Sequence, residues 1–297
     1  TLHACFKAIA AHGLAAGVHN ENDEMVRAAM AEVEASGIRD YRAHGLSRPP
    51  ATETLAMAEV YELAADAGCS GHIVHCSVGR GYDLCAGYRA QGFDATIEAC
   101  IHYLTLDEEN DVARLGGKAK INPPIRPRRE VEALWRHLAA GNVTVVSTDH
   151  VSWSEDRKTN PDMLKNSSGV PGLEVLYALL LKGLTERRLD VSFAARLLAA
   201  NPARLFRIGH RKGALEVGRD ADIVVMAHRP HRYDPAASGH NFVSWSPYAG
   251  IELPYRPVAT FLRGAMVFDG TRVLAEPGNG HFIHPVLAQP AEYKVAS

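Results

Sequence analysis

Three residues stand where chemistry could be done. His19 closes the run AAGVH, His75 closes HIVH, and Asp149 closes VTVVSTD. Each follows a short stretch of small or β-branched apolar residues that reads as a buried strand. Neutral imidazole and carboxylate are suitable ligands for zinc and similar divalent ions. Separations of 56 and 74 residues are too long for a one-helix motif such as HExxH. They suit ligands delivered by different strands of one sheet to a common mouth. Spacing alone leaves a structural, hydrogen-bonded role open for each histidine, and a helix N-cap open for Asp149.

Delivering these residues needs alternating strands and helices, and the sequence has that alternation. After AAGVH comes the amphipathic stretch EMVRAAMAEVEAS, ended by Gly37. A second helix follows Pro49 and Pro50 and stops before Gly68, leading to HIVHCS. GYDLCAGYRAQG reads as a helix, FDATIEACI as a strand, REVEALWRHLAAG as a helix and VTVVSTDH as a strand. LEVLYALLLKGLTERR and SFAARLLAANPARLF add further helices. Strands separated by helical crossovers predict a parallel α/β sheet, with its site at the strand C-termini. Four such units make half of an eight-fold barrel, assigned here to residues 1–210. From about residue 211 the pattern changes. KGALEVGRDADIVVM and PVATFLRGAMVFDG read as short strands with glycine turns, so residues 211–297 are expected to form a small β domain and a tail. HRYDPAASGHN between them reads as a loop, and the final PGNGHFIHPVLAQPAEYKVAS as partly unstructured.

Composition narrows the function classes. With 46% hydrophobic and 22% charged residues the chain has a globular profile, and its net charge of −2 gives no reason to expect nucleic acid or an anionic membrane as partner. The longest apolar run is broken by Glu174 and ended by Lys182, too short to span a bilayer. Five cysteines without a CxxC pair argue against a disulfide framework and for a reducing cytoplasm.

The local words sharpen the chemistry. HIVHCS, EACIHYL, KINPPIR, VVSTDHVSW, NPARLF and KGALEVGRDADIVV occur in one order. That order resembles the cyclic amidohydrolases, the hydantoinase, dihydropyrimidinase, allantoinase and dihydroorotase group of the metal-dependent amidohydrolases. The resemblance extends to about residue 285 and is most specific at TDH (148–150) and at KG-(x)4-G-x-DAD (212–222). It implies the second half of a distorted (β/α)8 TIM-type barrel followed by part of a small β-sandwich. It implies that His19, His75 and Asp149 are the ligands from the fifth, sixth and eighth barrel strands. Asp149 would also act as the proton acceptor for the attacking water. The family's HxH motif and metal-bridging lysine are not found in this sequence; Lys7 lies on the helix leading into the His19 strand. The resemblance therefore implies that the earlier barrel strands lie upstream of Thr1. This chain by itself is expected to hold at most one metal, with zinc the family default, and to be poorly active.

Other positions carry softer expectations. Asn122, before Pro-Pro, is either a ring-binding residue or a turn former. Asn166 either faces the substrate ring or caps the following helix. His150 orients Asp149, lines the mouth, or makes only a supporting hydrogen bond. His102 and His72 are expected to pack rather than bind metal. His228, His231, His281 and His284 form two HxxH pairs to which the family assigns no role.

The resemblance implies hydrolysis of an amide bond in a cyclic ureide or imide by a homo-oligomeric enzyme. SPYAGIEL and RGAMVFDG lean to hydantoinase or dihydropyrimidinase, whereas NPPIR and IHYL lean to allantoinase or dihydroorotase. A non-catalytic scaffold of the dihydropyrimidinase-related kind is the alternative from another class. Loss of ligands marks that group, and His19, His75 and Asp149 are present. A third reading completes the site from another subunit.

Overall fold

The computed structural model describes residues 1–237 and 241–287. The chain forms two compact units, Thr1–Glu174 with Pro235–Ala249, and Val175–Asp234 with Gly250–Leu287.

The first unit is built on a four-stranded parallel sheet in the order β1 (Ala15–Val18), β2 (Ser70–Ile73), β3 (Ala95–Cys100), β4 (Val145–Ser147). Val18 pairs with Ile73, Ile73 with Ile97, and Cys100 with Ser147, so the strands finish at one end of the sheet. Each crossover is helical. Asp23–Ser36 begins with Asn22, whose side chain accepts the Met25 amide at 3.0 Å, and carries Asp23 and Glu24 in its first turn. It stops at Gly37, whose φ of 74° suits a residue without Cβ. Pro50–Asp66 starts with proline at its first position, where no amide is needed. Gly79–Ala90 joins β2 to β3, and Arg128–Ala139 precedes β4. On the latter, Val131, Leu134, Trp135 and Leu138 follow the helical repeat and are buried, while Arg128, Arg129 and Arg136 are exposed. Trp135 Nε1 donates to Leu104 O at 2.8 Å, so the burial leaves no donor stranded.

The second unit holds the helices Leu176–Glu186, Ser192–Ala195 and Asn201–Leu205, with an antiparallel sheet ordered β5 (Ile223–Arg232), β6 (Glu252–Leu262), β7 (Ala265–Phe268). Two expectations are corrected here. KGALEVGRD is not a strand: its glycines 213 and 218 take φ near 90° in a run of turns, and β5 begins only at Ile223. The loop read at HRYDP starts later than expected, because β5 continues through Arg232. A register shift between His228 and His231 accommodates Pro230, which has no amide for the ladder. Residues 281–287 have no regular structure, and the rest of the expected tail lies outside the described residues.

Among the described residues no helix is long and apolar enough to cross a membrane. All five cysteines are free.

Candidate active site

The strand ends place the chemistry. His19 is the residue after β1, His75 comes two after β2, and Asp149 two after β4. His75 and Asp149 have φ of 40° and 45°, in the left-handed region, at a cost of roughly 1–3 kcal/mol each. The chain thus turns sharply at both positions as it leaves the sheet.

His19 and His75 meet. His19 Nδ1 lies 2.8 Å from His75 Nε2, with the rings edge to face and their centroids 4.7 Å apart. His75 is buried, whereas the His19 side chain is 49% exposed, so the pair runs from the interior to the surface at the strand ends. Burial lowers the His75 pKa, the neighbouring His19 lowers it further, and the Asp149 charge opposes both. A neutral His75 results, which is the form that binds metal.

Glu21 fixes the other side of His19. Its Oε2 lies 3.1 Å from His19 Nε2, and the carboxylate also pairs with Arg48. Burial works to raise the Glu21 pKa, but the bonds from His19 and Arg48 outweigh it and hold the carboxyl below its usual range. An ionised Glu21 accepts the proton on Nε2. The lone pair of His19 is then on Nδ1, facing His75.

The donors present fit a divalent ion. Two imidazole nitrogens bound to one tetrahedral zinc would lie roughly 3.3 Å apart, close to the separation found. The carboxylate behind His19 matches the support that ligating histidines ordinarily have. Among the described residues the buried His75 Nδ1 has no hydrogen-bond partner, so His75 lacks the outer support that His19 has. Among the described residues no three His, Cys, Asp or Glu side chains cluster closely enough for a complete site, so the fit is that of a two-histidine pair with Asp149 acting on it by charge.

Two residues after His75, Ser77 joins a buried network that sequence reasoning missed. Arg126, from the NPPIR word, donates to Glu53 Oε1 at 2.5 Å, to Ser77 Oγ at 2.9 Å and to Arg48 O at 2.6 Å. Ser77 N donates to Glu53 Oε2 at 3.0 Å. The turn after His75 is thereby tied to the segment that carries Arg48 and so to Glu21. On β3, Glu98 Oε1 accepts the His75 amide at 3.1 Å. His72 packs beside Glu98, with its Nδ1 2.9 Å from Thr96 Oγ1, and His102 is buried against Tyr103. Neither belongs to the His19–His75 pair.

The expected substrate-binding residues separate. Asn122 is half-buried, and its Oδ1 accepts the Ser168 hydroxyl at 3.1 Å. Asn166 is buried with its side chain committed to its own loop. Its Oδ1 accepts Asn160 N at 2.9 Å, and its Nδ2 donates to Asn160 O at 2.9 Å and Asp162 O at 3.1 Å. The side chain that reaches Asn122 is Ser168, two residues further on. His150 Nδ1 accepts the amides of Gly172 and Leu173 at 3.1 and 3.2 Å, and its Nε2 bonds Ser152 Oγ at 2.9 Å. His150 thus ties the loop after residue 170 to the turn that carries Asp149.

Comparison with known proteins places this geometry in a class. The amidohydrolase family model matches residues 1–267. The chain belongs to that family, whose members are in general metal-dependent. It is 40% identical over 290 residues to an allantoinase of Rubrobacter xylanophilus, covering 96% of this chain and 62% of that protein. It is 35% identical over 272 residues to a D-phenylhydantoinase of Escherichia coli, covering 90% of this chain and 59% of that one. Among solved structures, the L-hydantoinase (dihydropyrimidinase) of Arthrobacter aurescens superposes with a TM-score of 0.89 at 30% identity, over 93% of this chain and 61% of that one. The chain therefore spans about three fifths of the length of these relatives. The parallel sheet is the half-barrel of a TIM-type α/β fold, and a separate antiparallel sheet follows it.

Proposed function

We propose that this chain carries part of the active site of a metal-dependent hydrolase that opens the amide bond of a cyclic ureide or imide, in the manner of hydantoinases and dihydropyrimidinases. The observation that carries the reading is the contact of His19 Nδ1 with His75 Nε2 at the strand ends, with Glu21 behind it. His19 and His75 would hold the ion, probed first as zinc, with Asp149 as a further ligand. A bound divalent ion would polarise the scissile carbonyl and make hydroxide available near neutral pH, where the pKa of bound water falls to about 7. Asp149 accepts the proton of the attacking water and returns it to the leaving ring nitrogen. Water adds to the carbonyl carbon, the C–N bond breaks, and a carboxylate and an N–H product result. Asn122 and Ser168 bind the polar edge of the ring.

Allantoin is the second substrate to test, favoured by the 40% identity to an allantoinase. A homo-oligomer in the cytoplasm, and a division by fold type near residue 210, complete the proposal. The experiment is ring opening of hydantoin, dihydrouracil and allantoin by the zinc-loaded protein. Slow turnover that chelation stops and Asp149→Asn abolishes is expected. Turnover that survives Asp149→Asn would overturn the reading.

A further inference from the structure

The loop from Asp149 to Val170 contains a buried ammonium group that has no carboxylate bonded to it among the described residues. The Lys158 side chain is 1% exposed, and its Nζ donates to three backbone carbonyls, Lys120 O at 2.9 Å, Ser167 O at 2.7 Å and Gly169 O at 2.8 Å. Lys120 does the same from the facing segment, donating to Leu164 O at 2.6 Å and Asn166 O at 2.7 Å. Trp153 Nε1 takes the carbonyl between, Ser168 O, at 2.7 Å. The carbonyls of residues 164, 166, 167, 168 and 169 are thus all turned onto these three side chains.

Burying a charge without a counter-charge is costly. Burial lowers the Lys158 pKa to about 7, with Lys120 adding to the shift, and burial lowers that of Lys120 to about 8, with Arg48 adding. Three inward carbonyls explain the residue type. Only an ammonium group supplies three donors from one atom. The packing leaves little room to relax. A Cβ on Gly169 would lie 2.6 Å from Val151, and one on Gly117 would lie 2.3 Å from the Asn166 side chain.

The clamp ends on the Asn122–Ser168 pair, to which the proposed function assigns ring binding. Ser168 sits between two carbonyls that Lys158 holds, and its hydroxyl donates to Asn122 Oδ1 at 3.1 Å. That bond fixes the Asn122 amide, leaving Nδ2 as a donor for a ring carbonyl and the Ser168 oxygen as an acceptor for the adjoining ring N–H.

We propose that Lys158, assisted by Lys120, is a positioning residue for substrate. It sets Ser168 against Asn122 so that the pair presents one donor and one acceptor to the C(=O)–NH edge of a cyclic ureide. This rests on the ureide reading given above, and two readouts separate the two claims. In the full zinc-loaded chain, Lys158→Met keeps the stem and removes all three donors. KM for the ring substrate should rise about tenfold or more, while kcat and bound zinc change by less than about threefold. Amide exchange at Gly169, whose N–H donates to Lys120 O at 2.9 Å, should accelerate. Ser168→Ala, which leaves the clamp intact, should raise KM without accelerating that exchange. An unchanged KM in Lys158→Met would overturn the proposal, as would kcat and bound zinc falling by the same factor by which KM rises. If Lys158→Met does not fold, Lys120→Met and Ser168→Ala carry the same contrast, and an unchanged KM in both overturns it. If wild type opens no cyclic ureide, the functional reading fails, and the exchange readout still decides whether Lys158 holds the loop.

Discussion

Neutralising Glu21 should weaken metal binding through a residue that never touches the metal. In Glu21→Gln the side-chain oxygen can still accept from His19 Nε2, now 3.1 Å from Oε2, but the negative charge is gone. The charge acts at close range and out of water, since the Glu21 side chain is only 3% exposed. Loss of a carboxylate behind a ligating histidine ordinarily costs 10–100-fold in metal affinity, or about 1.4–2.8 kcal/mol. Because the amide keeps the hydrogen bond, Glu21→Gln belongs near the lower end, about tenfold. Glu21→Ala loses both charge and tautomer control and belongs near the upper end, about a hundredfold. Arg48→Met supplies the control. Without its cation Glu21 becomes more basic and pulls harder on the His19 N–H, so zinc binding should not weaken. Competition with a chromophoric chelator gives the zinc Kd for each variant, and far-ultraviolet circular dichroism confirms the fold. An unchanged Kd in a folded Glu21→Ala variant would refute the role of Glu21. A loss in Arg48→Met equal to that in Glu21→Gln would assign the effect to general loosening instead.

The buried Arg126–Glu53 pair gives a stability test. Arg126→Met leaves Glu53 charged and unpaired, and should cost about 3–5 kcal/mol in urea unfolding, with part recovered in the Arg126→Met/Glu53→Gln double variant. A further prediction concerns acid. His44 is buried, its Nε2 lies 2.8 Å from Ile121 O, and burial lowers its pKa to about 3. A folded pKa below the unfolded value of about 6.5 means that the folded state binds fewer protons. The His44 contribution is therefore complete above about pH 6.5 and is lost as pH falls towards 3. Thermal unfolding across that range should show the loss, and His44→Gln should flatten it. Asp149→Asn should abolish ring opening while leaving the fold intact, measured as product carboxylate and by circular dichroism.

The sheet was legible because its signals are local. Asn22, Gly37 and Pro50 mark helix ends within a few residues, and β-branched runs mark strands without reference to anything distant. That His19 and His75 meet at one sheet end also follows from strand ends alone, since parallel strands finish together. Partners across the fold were not legible. Arg48 is 27 residues from Glu21, and Arg126 is 73 from Glu53. Glu21 itself had a signal. A carboxylate two residues beyond a strand-end histidine lies on the same side of an extended chain. Asn166 shows the opposite limit. Its residue type suits either a ring contact or a loop brace, and only the positions of Asn160 and Asp162 decide between them. KGALEVGRD alternates like a strand, but its glycines at 213 and 218 turn the chain before an extended run can form.

Zinc-edge X-ray absorption tests the central claim most directly, because it counts imidazole ligands without requiring turnover. The metal-loaded chain should show two imidazoles, His19 and His75, and the His75→Ala variant should show one, with weaker zinc retention. An imidazole count that does not change on His75→Ala would contradict the account.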